Sequence, residues 1–263
     1  MFTKYVDKYL AGESAISLIR KYSLPQDRFY KHLSSIGVKR TMSEAHRTYD
    51  LAEDSFNVIK NEKSAYFLGL LFADGTLSIK ETSIRISLKE SDFKILEELK
   101  EFIKYTGPIK KRKYSDKNSR WSDQLGLNIY NKIMVEDLLR LGMIPNKSLT
   151  LKFPIIKDNL LKHFIRGYFD GDGCLYIYPN NKRFNLTITG SKYFINSLRG
   201  VLKNKFGFNG FIFSRHNNDC LTYMLSGERQ IMIFLNWIYK DAGVFIQRKW
   251  YTYREVLKIR GML

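Results

Sequence analysis

An α+β fold is predicted: two pseudo-symmetric αββαββα repeats, each built on an antiparallel sheet, behind a small all-α N-terminal segment. Three observations predict it. First, AYFLGLLFADGTLSI (65–79) and HFIRGYFDGDGCLYI (163–177) align at a constant offset, Gly69 on Gly167, Ala73 on Gly171, Asp74 on Asp172 and Gly75 on Gly173. The offset far exceeds a solenoid period and marks two homologous halves. Second, each aligned stretch is followed by the same order of strand-like and helix-like segments. Third, residues 1–47 carry helical patterning of a different kind. The chain accordingly divides into 1–47, a polar linker at 48–62, a first repeat at 63–150 and a second at 151–263.

In the first repeat, Ala65–Ala73 is apolar enough for a short buried helix. Thr76–Lys80 and Ile84–Lys89 alternate with period two and read as strands about a turn. Ser91–Tyr105 has helical spacing at Phe93, Leu96, Leu99 and Ile103, with Ser91 and Asp92 at its start. Ile109–Tyr114 and Trp121–Tyr130 read as strands around SDKNSR, and Lys132–Leu141 as a helix closed by Gly142. The second repeat gives a helix at Leu160–Asp170, strands at Leu175–Tyr178 and Phe184–Thr189, and a helix at Ser191–Phe206. Strands at Gly210–Arg215 and Leu221–Ser226 follow, then helices at Gln230–Lys240 and Arg248–Leu257.

Composition narrows the partners. The chain has 263 residues and a formal net charge of +18, a balance suited to a polyanion, most often nucleic acid. No apolar run is long enough for a transmembrane helix, and MFTKYVDKYLAGES lacks the apolar core of a secretory signal. Two cysteines, Cys174 and Cys220, and four scattered histidines give no zinc spacing. These features point to a reduced intracellular, cytoplasmic setting without membrane attachment.

The strands leave one sheet face free. Its outward residues in the first repeat are Thr76, Ser78, Lys80, Arg85, Ser87, Lys89, Lys110, Arg112, Gln124 and Asn128. In the second they are Tyr176, Tyr178, Arg183, Asn185, Thr187, Thr189 and Arg215. Leu77, Ile79, Ile84, Ile86, Leu88, Leu175, Ile177, Leu186 and Ile188 are expected inward. Cationic and hydrogen-bonding side chains without carboxylates suit phosphates and major-groove base edges, although an ordinary solvated face also alternates.

The paired acids are the sharpest feature. Gly69 and Ala73, like Gly167 and Gly171, are four apart and share a helix face on which two backbones can meet. Packing on that face brings Asp74 and Asp172 together at two helix C-termini, where the macrodipole disfavours negative charge. One such Asp before Gly is an ordinary turn cap. Two in register raise a pKa or destabilise the fold unless a hard divalent cation sits between them. Magnesium takes oxygen ligands and keeps waters, and phosphodiester hydrolysis is the chemistry such a site would serve.

FLGLLFADG (67–75) and IRGYFDGDG (165–173) resemble the two signature helices of single-chain LAGLIDADG homing endonucleases. The resemblance covers roughly residues 63–257, including the repeat order. It implies a pseudo-twofold enzyme in which those helices form the interface between halves and two curved sheets form a saddle over the DNA major groove. It implies cleavage of double-stranded DNA across the minor groove at a long asymmetric target, by a monomer, with Mg2+ or Mn2+. The family's eighth motif position, its metal-binding acid, falls on Asp74 and Asp172. The sixth is Asp170 in the second motif but Phe72 in the first, a departure bearing on how the helix end is anchored. GMIPNKSL (142–149) aligns with GVFIQRKW (243–250), and the resemblance places Lys147 and Lys249 near the scissile phosphates. Gln124 is a further candidate for the solvent pocket.

GESAISLIRKYSLPQDRFYKHLSSIGVKR (12–40) resembles a resolvase-like helix-turn-helix. Ala15, Ile16 and Ile19 mark the first helix, and Phe29, Leu33 and Ile36 the second, with Pro25 admissible in its first turn. Gln26, Asp27, Arg28, Tyr30 and Lys31 would then face the major groove. A plain helical hairpin is the alternative. On the same scaffold a non-catalytic DNA-binding regulator and an RNA maturase stay open. An intein-embedded nuclease is not expected, since the chain begins with Met1 and ends with Leu263 without a terminal His-Asn pair.

Overall fold

The computed structural model describes residues 2–11, 13–39, 49–112, 123–180, 182–214 and 219–262. They fall into two compact units, Met1–Asp50 and Leu51–Leu263.

The first unit packs three helices, α1 (Thr3–Leu10), α2 (Ala15–Tyr22) and α3 (Gln26–Ser35). Ser14 caps α2 by accepting the Ser17 N–H at 3.0 Å, and Ser23 ends it in the left-handed region at φ 50°. Phe2, Val6 and Tyr9 from the α1 side close on Leu18, Phe29 and Leu33. Two expectations are corrected here. Ile16 is 52 % exposed and Ile36 is 45 % exposed. The presence of α1 sets which face of α2 is covered, and the i, i+3 pair Ala15 and Leu18 meets it. Ile36 is the C-cap residue one past α3, and Val38, not Ile36, packs back against the core.

In the second unit, the 3₁₀ turn Glu53–Phe56 lies within the segment read as linker, yet Phe56 is buried in the core with its ring edge-on to Phe102. Then comes α4 (Glu62–Asp74), started by a reciprocal capping box in which Asn61 Oδ1 accepts the Ser64 N–H and Ser64 Oγ accepts the Asn61 N–H. Strands β1 (Gly75–Ser78), β2 (Ser83–Lys89), β3 (Lys110–Arg112) and β4 (Gln124–Tyr130) form an antiparallel sheet in the order β1-β2-β4-β3. Helices α5 (Phe93–Phe102) and α6 (Lys132–Arg140) complete the half. The second half repeats the plan: α7 (Asp158–Asp172), β5 (Gly173–Ile177), β6 (Phe184–Ser191), α8 (Lys192–Phe206), β7 (Phe211–Ser214), β8 (Cys220–Leu225) and α9 (Glu228–Tyr239). Its sheet order is β5-β6-β8-β7, and α10 (Gln247–Ile259) follows. The architecture is the expected α+β one.

The apolar helices α4 and α7 form the seam between the halves. A Cβ on Gly69 would lie 2.0 Å from the Phe164 carbonyl oxygen, and one on Gly167 would lie 2.0 Å from that of Tyr66. Backbone meets backbone at both points, so only glycine fits. Both helices run longer than the sequence patterning indicated and end on the acids themselves. Ile79, expected inward, is 55 % exposed because β1 ends at Ser78 and the turn reorients it. SDKNSR and Arg215 fall outside the described residues.

Candidate nucleic-acid interface and paired carboxylates

Helices α4 and α7 deliver Asp74 and Asp172 as their last residues, each followed by an extended glycine that opens a strand. A Cβ at Gly171 would meet Asp74 Oδ2 at 2.6 Å, so the Asp74 carboxyl lies over the residue preceding Asp172. Asp74 is half-buried, and Asp172 opens more to solvent. Burial and then the Asp172 charge push the Asp74 carboxyl up to about 7, against the pull of Lys147, Arg248 and Lys249. Burial also raises Asp172, offset mainly by Lys147.

The aligned lysines arrive at the same helix ends. Lys147 Nζ donates to the carbonyl of Ala73, and Lys249 Nζ to that of Gly173. An ammonium at each helix C-terminus offsets both the macrodipole and the neighbouring carboxylate. Burial lowers both lysine pKa values, with Asp172 and Asp74 opposing the shift at Lys147.

Asp170 differs from its counterpart Phe72. It is fully buried and accepts from Tyr66 Oη at 2.7 Å, from the Ile246 N–H at 2.8 Å and from Tyr239 Oη. It thus ties α4, α9 and the loop leading to Lys249 onto the end of α7. Sequence reasoning flagged the asymmetry but not these partners. It also missed Arg166, a buried guanidinium in the signature helix. Arg166 donates to Ile238 O at 2.7 Å and Val244 O at 2.9 Å and pairs with Glu62 across the seam. A charged residue inside an apolar helix was the available signal. A second cross-seam pair joins buried Asp92 to Arg248 Nε, 3.0 Å from each carboxylate oxygen.

The free face of the first sheet starts at Asp74. An open groove there is lined by Asp74, Thr76, Arg85, Ser87, Lys110, Lys111, Gly126 and Asn128. Cross-strand register sets Thr76 beside Arg85 and Asn128, Ser87 beside Gly126 with Lys110, and Lys89 beside Gln124 with Arg112. Gln124 lies three residues beyond Leu127, which is in line with Gly75, so it sits roughly 10 Å along β4 rather than against the helix ends. Ser78 ends β1, and Lys80 is exposed in the turn after it. The face is not free of carboxylates as expected. Glu81 pairs with Arg85, and Lys111, unforeseen in the groove, pairs with Glu90 at 2.9 Å and Asp123 at 3.5 Å.

On the second sheet, Tyr176 faces Asn185 in register and Cys174 faces Thr187. Tyr176 packs edge-on against Tyr178, which lies one residue past β5. Arg183 is exposed just ahead of β6, and Thr189 shares a hydroxyl–hydroxyl bond with Thr222 at 3.1 Å. In the N-terminal unit, Gln26, Asp27, Arg28 and Lys31 are exposed on α3, and Tyr30 is half-buried beside Lys31 in a shallow concavity.

The donor set fits a hard cation. Magnesium is held through one or two carboxylates and retains waters. Among the described residues no group of three or more His, Cys, Asp or Glu forms a cage of the zinc type.

Residues 159–239 match the family model described as a LAGLIDADG-like domain. The whole two-repeat fold is that of the LAGLIDADG endonucleases. The I-LtrWI LAGLIDADG homing endonuclease bound to target DNA superposes with a TM-score of 0.52 at 13% identity, covering 80% of this chain and 91% of that one. The LAGLIDADG meganuclease I-AabMI bound to uncleaved DNA gives 0.51 at 13% identity, covering 77% and 91%. A full-length DUF199/WhiA protein from Thermatoga maritima gives 0.49 at 21% identity, with 65% of its length covered. In sequence, the DNA-directed RNA polymerase subunit Rpo1C of Methanocaldococcus jannaschii is 26% identical over 151 residues, and the chain spans 17% of that protein. No helix among the described residues is long and apolar enough to cross a membrane.

Proposed function

We infer that this chain is a divalent-metal-dependent endonuclease that cuts double-stranded DNA at a long asymmetric site as a monomer. One observation carries the reading: two carboxylates and two lysines converge at two abutting helix ends, Asp74 and Asp172 with Lys147 and Lys249. A structural role accounts for one such pair. A duplicated set, in which burial and the Asp172 charge hold the Asp74 pKa up at about 7 against the pull of the lysines, is the expected signature of a site built for a cation and a phosphodiester.

Asp74 and Asp172 would hold Mg2+ or Mn2+, and the bound ion would supply an activated water and charge stabilisation at the leaving oxygen. Lys147 and Lys249 would stabilise the negative charge that develops on the phosphorane. Arg85, Lys110 and Asn128, flanking the groove next to Asp74, would fix the register of one half-site. Ser87, Lys89, Arg112 and Gln124 would extend that contact. The α3 surface with Arg28 and Lys31 would add a further contact in helix-turn-helix fashion.

The test is incubation of the chain with a randomised duplex library and magnesium, followed by sequencing of cut ends, in parallel with the double variant Asp74→Asn, Asp172→Asn. Discrete double-strand breaks at one asymmetric site, absent from the variant, are the expected result. Selective binding without cleavage in magnesium or manganese overturns catalysis and leaves a regulator or a maturase.

A further inference from the structure

The strands of the two sheets differ in charge, and most clearly in one row of equivalent positions. The four strands of the first contain five basic residues, Arg85, Lys89, Lys110, Lys111 and Arg112. The four strands of the second, GCLYI, FNLTITGS, FIFS and CLTYML, contain no charged residue. The contrast is sharpest in the row next to the helix ends. In the first half, register aligns Thr76, Arg85 and Asn128. In the second, it aligns Cys174, Thr187, Met224 and Phe211. A guanidinium is matched by a hydroxyl with a methyl, and an amide by a thioether. Phe211, at 61 % exposed, extends the row as a bare aromatic edge. Single exposed apolar residues are ordinary, but four cross-strand neighbours form a patch.

We propose that the target is chemically split: the half-site on the second sheet is thymine-rich and read through C5-methyl groups, and the half-site on the first is read through guanine acceptors and phosphates. This rests on the DNA-cleaving reading above. In the major groove only thymine offers a methyl, and the side chains suited to it are apolar ones and the methyl of Thr. Met224 adds a soft, adaptable surface. Arg85 and Asn128 are the residue types that bind guanine and adenine in pairs of hydrogen bonds.

The experiment selects duplexes retained by the full chain from a randomised library, then resynthesises the preferred site with uracil for thymine in one half at a time. The altered component is the DNA, so protein folding is not at issue. Each methyl removed from the second half is expected to weaken binding by about fourfold. The same exchange in the first half leaves affinity unchanged. Phe211→Ala with Met224→Ala, checked for retained affinity to the first half-site alone, is expected to erase the difference. A preferred site whose second half is G·C-rich, or indifferent to uracil, overturns this inference and leaves the endonuclease reading intact. Retention of no duplex overturns both.

Discussion

The Asp170 carboxylate accepts the main-chain N–H of Ile246 at 2.8 Å, which fixes the loop entering α10 to the end of the signature helix two residues before Asp172. Tyr66 and Tyr239 donate to the same carboxylate. Burial raises its pKa, and the three donors oppose that rise. Asp170→Ala leaves three buried donors unpaired and is expected to destabilise the chain by about 3–5 kcal/mol in urea unfolding. Asp170→Asn keeps the shape and should lose less.

Gly69→Ala and Gly167→Ala force the seam apart. The obstacle in each case is a backbone carbonyl, which cannot swing aside as a side chain would. Either substitution should cost about 1–3 kcal/mol or more by thermal unfolding. The same exchange at half-buried Gly200 in α8, where a new Cβ meets nothing, should be neutral or stabilising.

The raised Asp74 pKa sets a pH window. The unfolded carboxyl ionises near its ordinary value of 3.8, whereas the folded one holds its proton up to about 7. Between those values the folded state binds more protons, so stability falls as pH rises through the window and levels off above it. Asp74→Asn removes this dependence and should raise the melting temperature above pH 7 in metal-free buffer. Cation binding needs the ionised form, so affinity measured by calorimetry should rise with pH until about 7 and release protons below it.

Arg166 is a buried charge whose compensation comes from Glu62 and two carbonyls. Arg166→Met is expected to cost about 3–5 kcal/mol, because Glu62 and both carbonyls lose their partner. A double-mutant cycle with Glu62→Gln should show positive coupling. His163, beside this pair, is pushed down to about 4 by burial and by Arg166, so it stays neutral and adds no acid-side switch above that pH.

Lys147→Met and Lys249→Met should leave DNA affinity nearly unchanged and slow cleavage by about 10²-fold or more. Nicked intermediates in a plasmid assay would reveal which lysine serves which strand.

Much of this was legible in the chain. The duplicated motif, the Gly69/Gly167 spacing and period-two strands sufficed for the seam and both sheets, because helix and strand periods act over short windows. Helix ends were not. Asp170–Gly173 reads as a breaker, yet α7 continues to Asp172 because packing on α4 rewards each extra turn. Ile16, Ile36 and Ile79 were misplaced because periodicity does not tell which neighbour covers a face or where a strand stops. The partners of Asp170 lie as far as 104 residues away, beyond any sequence window. Lys147 and Lys249 were reachable only through the internal alignment taken together with the family resemblance.

The glycine contact has one more consequence. With two backbones in direct touch, the spacing of Asp74 and Asp172 is set by main chain alone, independent of any side chain on the sheets. The sheet faces can therefore drift or be replaced wholesale while the paired carboxylates keep their gauge. A chimera that joins either half to a foreign half with glycine at the matching seam position should inherit that spacing, which makes this protein a two-part kit with a standard coupling.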